Sequence, residues 1–310
     1  MDRRQFVALA GALGTGIALP AFAGSSYPLR PIEFIVPWGP GGGSDQTARK
    51  LAKMLEAKLK VSLPIVNIPG GSGVSGLTKL LSAPADGYAI YLMAADTMGL
   101  LALTTQRWSM NDLQPLAILT QQRSALLIRQ DSPLQSWGEV DAASRKGEIK
   151  VGIASLGSPE EAAVNFFKRR GNQFVAVPYQ RPGERYSALL GGHIDLLFEQ
   201  CGDVRSFVES KQMHPILLLA NEQSSDFPDV PTSRAVGIDF VLDQYRGVMV
   251  RAGMDPAVYA VLVDSVRDVV ASDEYAAYLR EIWADPRSYL GPKESLVYID
   301  KDLAALRAAT

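Results

Sequence analysis

The stretch Ile32 to Asp45, IEFIVPWGPGGGSD, constrains this chain more than any other. A short apolar run that suits a buried strand stops at Pro37 and passes into Gly39, Pro40, Gly41, Gly42 and Gly43, after which Ser44 opens a helical pattern. Ala48, Leu51, Ala52, Leu55 and Leu59 repeat at helical spacing. They predict a helix that buries one stripe and turns the unpaired N–H groups of its first turn back toward the loop. Those donors, with the positive end of the helix dipole, favour a carboxylate or phosphate. Consecutive glycines take left-handed dihedrals readily and admit an anion close to the backbone. The loop lacks the Gly-Lys-Ser/Thr ending of a nucleotide loop and does not fit G-x-G-x-x-G, which argues against a nucleotide.

The same device recurs. Ile65 to Asn67 reads as a strand, Pro69-Gly70-Gly71-Ser72-Gly73 as its loop, and a helical stretch runs through Leu77, Leu80 and Leu81. Asp86-Gly87 turns the chain into a third strand, Tyr88 to Met93, which ends in a small polar loop at Asp96-Thr97. In an open parallel sheet such loops gather at the carboxyl ends of the strands, where ligands bind. Leu126 to Arg129 is a further strand, followed by a helix over Trp137 to Arg145.

After this the alternation starts afresh. Lys150 to Ala154 is a strand, Ser155-Leu156-Gly157-Ser158-Pro159 a loop, and Glu160 to Arg170 a helix. Phe174 to Val177 is the next strand, Tyr179 to Gly183 the next loop, and a helix through Ala188 to Leu190 stops at Gly191-Gly192. Strands at Ile194 to Phe198 and Ile216 to Ala220 flank a helix near Val204 to Val208. A new set of βα units needs its own core, which predicts a second α/β lobe. Val248 to Val250 reads as a return strand, and helices over Ala257 to Val270, Tyr275 to Trp283 and Leu296 to Leu306 belong back on the first lobe. The expected organisation is 24–125 plus 248–310 for lobe 1 and 126–247 for lobe 2, with two hinge crossings and a ligand cleft between them.

Residues 1–23 read as a cleaved export signal. Arg3 and Arg4 precede an apolar stretch from Phe6 to Phe22, Ala21-Phe22-Ala23 supplies the cleavage pattern, and Asp2-Arg3-Arg4-Gln5-Phe6 resembles a twin-arginine signal. A retained membrane anchor is the alternative, and the good cleavage pattern weighs against it. The single cysteine, Cys201, excludes a lipid-anchored cysteine after the cleavage site and an intrachain disulfide. A chain of 310 residues, 47% of them hydrophobic, is long enough for two cores. A formal charge of -2 gives no general reason to bind nucleic acid or an anionic membrane, so anion affinity must be local.

His193 and His214 are the only histidines, and no zinc motif or G-x-S-x-G elbow is present, so no catalytic residue, metal site or cofactor is expected. Ser44 and Asp45 fit a helix N-terminus through capping alone. Asp96 would repel a carboxylate unless it accepts a ligand hydroxyl or amine. Tyr179, an aromatic with a hydroxyl, suits the wall of a cleft. Arg181 could clamp a second carboxylate in a bidentate pair, against the alternative of a solvated loop arginine.

The pieces YPLRPIEFIVPWGPGGGSD, VNIPGGSGVSG, ADGYAIYLM, VPYQRPGERYSALLGGHID, FPDVPT and YRGVMVRAGMDP, in this order, resemble the substrate-binding proteins of tripartite tricarboxylate transporters, the Bug-type receptors. The resemblance spans essentially the whole mature chain. It implies a periplasmic-binding-protein fold of type II, the Venus flytrap, in which each of two α/β lobes is a central sheet flanked by helices. Such a receptor, a monomer and no enzyme, closes on a small carboxylated solute in the periplasm and delivers it to a membrane permease. Carried over by position, the first-lobe contacts are Trp38, Gly39, Pro40, Gly41, Gly42, Gly43, Ser44, Ser72, Gly73, Asp96 and Thr97. The second-lobe contacts are Ser155, Gly157, Ser158, Tyr179, Arg181, Gly183 and Glu199. Gln180-Arg181-Pro182-Gly183 stands where the family has a glycine-rich run, so the second wall is altered, and the following Glu184 is similar to the tricarboxylate branch. A sensing subunit for a membrane kinase, or an α/β enzyme acting on a carboxylate, are the alternatives. Mono-, di- and tricarboxylates, aromatic acids and nicotinate-like compounds all fit a loop that recognises one carboxylate through its backbone.

Overall fold

A computed structural model describes residues 27–103 and 107–309. Along the chain, β1 (Glu33–Val36) leads through the glycine loop into α1 (Gly43–Leu59), then come β2 (Ile65–Asn67), α2 (Val74–Ser82), β3 (Ala89–Ala94) and α3 (Ala95–Leu103). A long β4 (Leu113–Arg129) follows, with α4 (Trp137–Ser144), β5 (Ile149–Ile153), α5 (Pro159–Arg169), β6 (Phe174–Pro178) and α6 (Pro182–Leu190) after it. The chain continues with β7 (Leu196–Gln200), α7 (Arg205–Glu209), β8 (Met213–Leu218) and β9 (Asp243–Arg251), and ends with α8 (Pro256–Val270), α9 (Asp273–Glu281) and α10 (Pro292–Ala309).

β1 lies between parallel neighbours, with Phe34 in register with Ile65 of β2 and Ile90 of β3. The strand path runs β2-β1-β3-β9-β4-β7-β5-β6, and β8 also pairs with β4. The joint is β4. Its stretch from Leu113 to Arg123 is antiparallel to β9, whereas Ser124 to Arg129 is antiparallel to β7 and β8. One strand therefore belongs to two half-sheets. Sequence reasoning found only Leu126 to Arg129 of it, because Gln114, Pro115, Gln121, Gln122 and Arg123 mask the apolar alternation. For the same reason the return strand β9 begins at Asp243 and not at Val248: Asp243, Gln244 and Arg246 are polar, yet the stretch pairs with Arg123, Gln122 and Thr120.

The period-2 alternation of β1 feeds two cores. Phe34 and Val36 face one side, packed with Leu51 and Leu55 of α1 and with Val266, Tyr275 and Leu279 of the C-terminal helices. Ile35 faces the other side, with Tyr91, Met93, Ile118, Met249 and Ile299. Phe34 is fully buried, so Phe34→Ala would cost about 3–5 kcal/mol. The second half-sheet has its own pair of cores, one around Val151, Ile153, Phe167, Phe174 and Phe198 and one around Leu127, Tyr186, Leu189, Leu197 and Cys201.

Asp96 and Thr97, expected in a loop, instead sit in the first turn of α3. That helix is apolar nearly all round, as a buried helix is, and so shows no helical stripe in the sequence. The expected export signal, 1–23, lies outside the described residues. No helix among the described residues is long and apolar enough to cross a membrane.

Candidate ligand site between the half-sheets

The glycine loop is held from behind. Gly42, with extended backbone, is the N-cap of α1 and supplies no side-chain cap; Ser44 and Asp45 fall inside the helix. Asp45 nevertheless serves the loop, since its carboxylate accepts the Gly41 N–H at 3.0 Å, Arg49 Nε at 2.9 Å and Asn67 Nδ2 at 3.0 Å. Burial alone would raise the Asp45 carboxyl, but the hydrogen bonds from Arg49, Gly41 and Asn67 outweigh it and hold the group below its ordinary range. Asn67 Nδ2 also donates to Trp38 O at 2.9 Å and so ties β2 to the loop. The amides of Gly43 and Ser44 meet no acceptor among the described residues.

Gly43 and Ser44 border a cavity of about 40 Å³. Trp38, Gly42, Gly43, Ser44 and Asp96 line it from the first half-sheet, with Gln244 and Arg246 from β9. Ala154, Glu160, Gln180, Pro182, Arg185, Glu199, Gln200 and Asp203 line it from the second. The halves touch directly around it. A β-carbon on Gly42 would lie 2.6 Å from Pro182 Cγ, and Ser72 Oγ donates to Ser155 Oγ at 2.7 Å with both residues buried. A larger hollow of about 600 Å³ opens near Arg123, Phe227 and Arg287, away from the glycine loop. The smaller cavity is the candidate site because the loop amides and the buried charges converge there.

Six of the residues expected at the site line the cavity: Trp38, Gly42, Gly43, Ser44, Asp96 and Glu199. Gly39 packs on Pro182 at the rim, while Pro40 and Gly41 are exposed. Gly73 and Thr97 are linked through Tyr91, whose hydroxyl donates to Gly73 O at 3.1 Å and lies 3.3 Å from Thr97 Oγ1. Ser158 caps α5, accepting Glu161 N–H at 3.2 Å and donating to Ser155 O at 2.7 Å, and the Gly157 N–H donates to Glu161 Oε2 at 2.7 Å. Tyr179 is half-buried against the second core, and Gly183 is exposed. Arg181 does not reach the cavity. It is paired with Glu184 at 3.1 Å and its side chain is 72% exposed.

The charged groups that do face the cavity went largely unforeseen. Arg185, one helical turn beyond Arg181, is buried and ion-paired with Glu199, which also accepts the Tyr186 hydroxyl at 2.9 Å. Arg246 grips Asp203 with both terminal nitrogens and also donates to Gln122 and to Gln200 Oε1. Burial lowers the tendency of each guanidinium to stay charged, and the acids around it more than restore it: Glu199 and Glu160 at Arg185, Asp203 and Glu199 at Arg246. Burial pushes Asp203 up to about 6 against the pull of Arg246. Burial also raises Asp96, and it raises Glu160 strongly, with Asp96 and Glu199 adding repulsion there. A signal for one of these residues was present: Arg185 lies at i+4 from Arg181, whereas Arg246 sits among the polar residues that hide the start of β9.

The family model of the tripartite tricarboxylate transporter family receptor matches residues 47–292. The chain belongs to that family. It is a family of solute-binding receptors, not of enzymes. Protein BugT of Bordetella pertussis is 30% identical over 265 residues, 83% of this chain and 81% of the relative. A protein in the gbd 5' region of Cupriavidus necator is 29% identical over 301 residues, 92% of this chain and 90% of its own. Among solved structures, MatC from Rhodopseudomonas palustris with bound malate superposes with a TM-score of 0.83 at 21% identity, covering 91% of this chain and 99% of that one. A TctC solute-binding protein from Polaromonas, without ligand, gives 0.65 at 27% identity, covering 92% and 99%. The α/β periplasmic-binding-protein fold expected from the motifs is the fold found.

Proposed function

We propose that this protein is a periplasmic receptor that captures a small carboxylated metabolite between two lobes and hands it to a tripartite tricarboxylate-type membrane permease. The observation that carries the reading is the composition of the cavity: both half-sheets wall it, and Gly43 and Ser44, whose amides have no acceptor among the described residues, line it at the positive end of α1. In this reading the lobes are 24–125 with 248–310 and 126–247, and the pairing of β9 from Asp243 supports placing the second crossing slightly earlier. A solute touching both lobes binds the closed form more tightly than the open one, and this difference drives closure. The ligand contacts proposed are Trp38, Gly42, Gly43 and Ser44 on one wall and the second-lobe residues opposite. Relatives seen with malate and with adipate support a carboxylate as the class, and residues 1–23 would supply export.

The test is a thermal-shift screen of the mature protein against carboxylic acids. A ligand at a hundred times its dissociation constant stabilises by roughly 2.7 kcal/mol, a shift that is easily read. The bound acid is then recovered chemically unchanged. A screen in which no carboxylate raises the midpoint would end the reading.

A further inference from the structure

Building on the receptor reading, the acids of the cavity narrow the class of solute. Asp96, Glu160, Glu199 and Asp203 face only Arg185 and Arg246 there, and all six residues are more than nine-tenths buried. The terminal nitrogens of both guanidiniums are committed, whereas the buried Nε of each meets no partner among the described residues. Arg246 holds Asp203 with two nitrogens, and Arg185 holds Glu199 while its other terminal nitrogen donates to Tyr179 O at 3.3 Å. Two acids therefore have no hydrogen-bonded cation, although Arg185 acts on both at longer range and Arg246 on Asp96. Asp96 Oδ2 accepts from Gln244 Nε2 at 2.8 Å, but Oδ1, buried, has no partner. Glu160 Oε2 accepts the Ala154 N–H, and no side-chain donor among the described residues reaches Glu160. Asp96 comes from α3 on the first half-sheet and Glu160 from the first turn of α5 on the second, so two carboxylates with no hydrogen-bonded cation share one small space between the halves.

Buried carboxylates without a counter-charge are costly, and a fold retains them where something else supplies the charge. We propose that the solute is an amino-carboxylate whose protonated amine sits between Asp96 Oδ1 and Glu160, while its carboxylate meets the amides of Gly43 and Ser44. An ammonium carries three donors and no acceptor, which matches two carboxylate faces. A plain dicarboxylate would add negative charge to a cavity already in excess of acid. Because each lobe supplies half of the cation seat, the amine rewards the closed form specifically.

The experiment is titration calorimetry at pH 7.5 with matched pairs: aspartate and succinate, glutamate and glutarate, 2-aminoadipate and adipate, extended to the amino counterpart of any acid found by thermal shift. The amino member of a pair is expected to bind at least about tenfold more tightly than its deaminated partner. Asp96→Asn and Glu160→Gln should each remove most of that preference, while the midpoint of the unliganded variants stays level or rises. That second readout separates a lost cation seat from a lost fold. A deaminated acid that binds as tightly as its amino counterpart, or variants that keep the preference, would overturn the cation seat and leave the carboxylate receptor standing. A panel in which neither kind of acid binds would overturn both.

Discussion

A β-carbon added to Gly43 would lie 2.0 Å from Oδ2 of Asp203, so the first turn of α1 and the segment after β7 meet with no space for a methyl group. Asp203 cannot give way cheaply, since Arg246 grips its carboxylate and Gln46 Nε2 donates to its carbonyl at 3.2 Å. Gly43→Ala should therefore leave each lobe folded and oppose their closure. Overpacking of this kind costs about 1–3 kcal/mol, which weakens solute binding by about 5- to 150-fold. Calorimetry reads the affinity, and small-angle scattering should show the variant keeping its open dimensions at solute concentrations that compact the parent. Affinity and compaction equal to the parent's would show that the lobes close without this contact.

The partner of Asp203 gives a second expectation. Arg246→Met removes the cation and leaves Asp203 buried alone, a change that costs about 3–5 kcal/mol in buried pairs. The loss falls on the closed form, because the two groups come from opposite half-sheets. Joining Asp203→Leu to Arg246→Met removes both charges and should recover much of the loss. A double-mutant cycle on binding checks this: a coupling near zero would mean that the pair does not hold the closed form.

These two contacts show where the sequence was legible and where it was not. Strand, glycine loop and helix at Ile32–Leu59 were readable because turn chemistry and helical spacing are local. So were the restart of the βα units at Lys150 and the helices packed back on the first half-sheet. The polar strands at the crossings were hidden, since Gln121, Gln122 and Arg123 find their partners across the chain and Gln244 and Arg246 line a cavity whose existence is a tertiary fact. The same holds for the site. Gly42 and Gly43 could be found from their neighbours in the chain, whereas Asp203, Arg246 and Glu160 become neighbours only when two half-sheets meet.

The buried acids predict an unusual pH dependence. Burial raises Asp203 to about 6 and also raises Asp96 and Glu160, so the folded protein holds more protons than the unfolded chain, whose carboxyls titrate near about 4. Stability of the unliganded protein should therefore increase as pH falls through about 6, and decrease as pH rises through it. Asp45, Asp141 and Asp285 are shifted downward, and their contribution is lost only below about 4, outside this window. Midpoints measured from pH 7.5 to 5 should rise, with a flatter slope in the double variant Asp96→Asn, Glu160→Gln. A midpoint that falls on acidification across this range would contradict the assignment.

Arg181 and Arg185 make the last prediction, because the sequence points to the first and the structure to the second. Arg181 is largely exposed and joined to Glu184 by a surface pair of the kind worth about 0–1 kcal/mol. Arg181→Ala should change solute affinity by less than about threefold and leave the thermal midpoint where it was. Arg185 occupies the position one turn further along α6, where the same face of the helix turns inward and the guanidinium meets Glu199. Arg185→Ala would strand Glu199 beside Glu160 and should lower both the midpoint and the affinity. Measuring the two alanine variants side by side by calorimetry and thermal denaturation settles which arginine shapes the second wall. A strong loss at Arg181 with none at Arg185 would reverse the assignment.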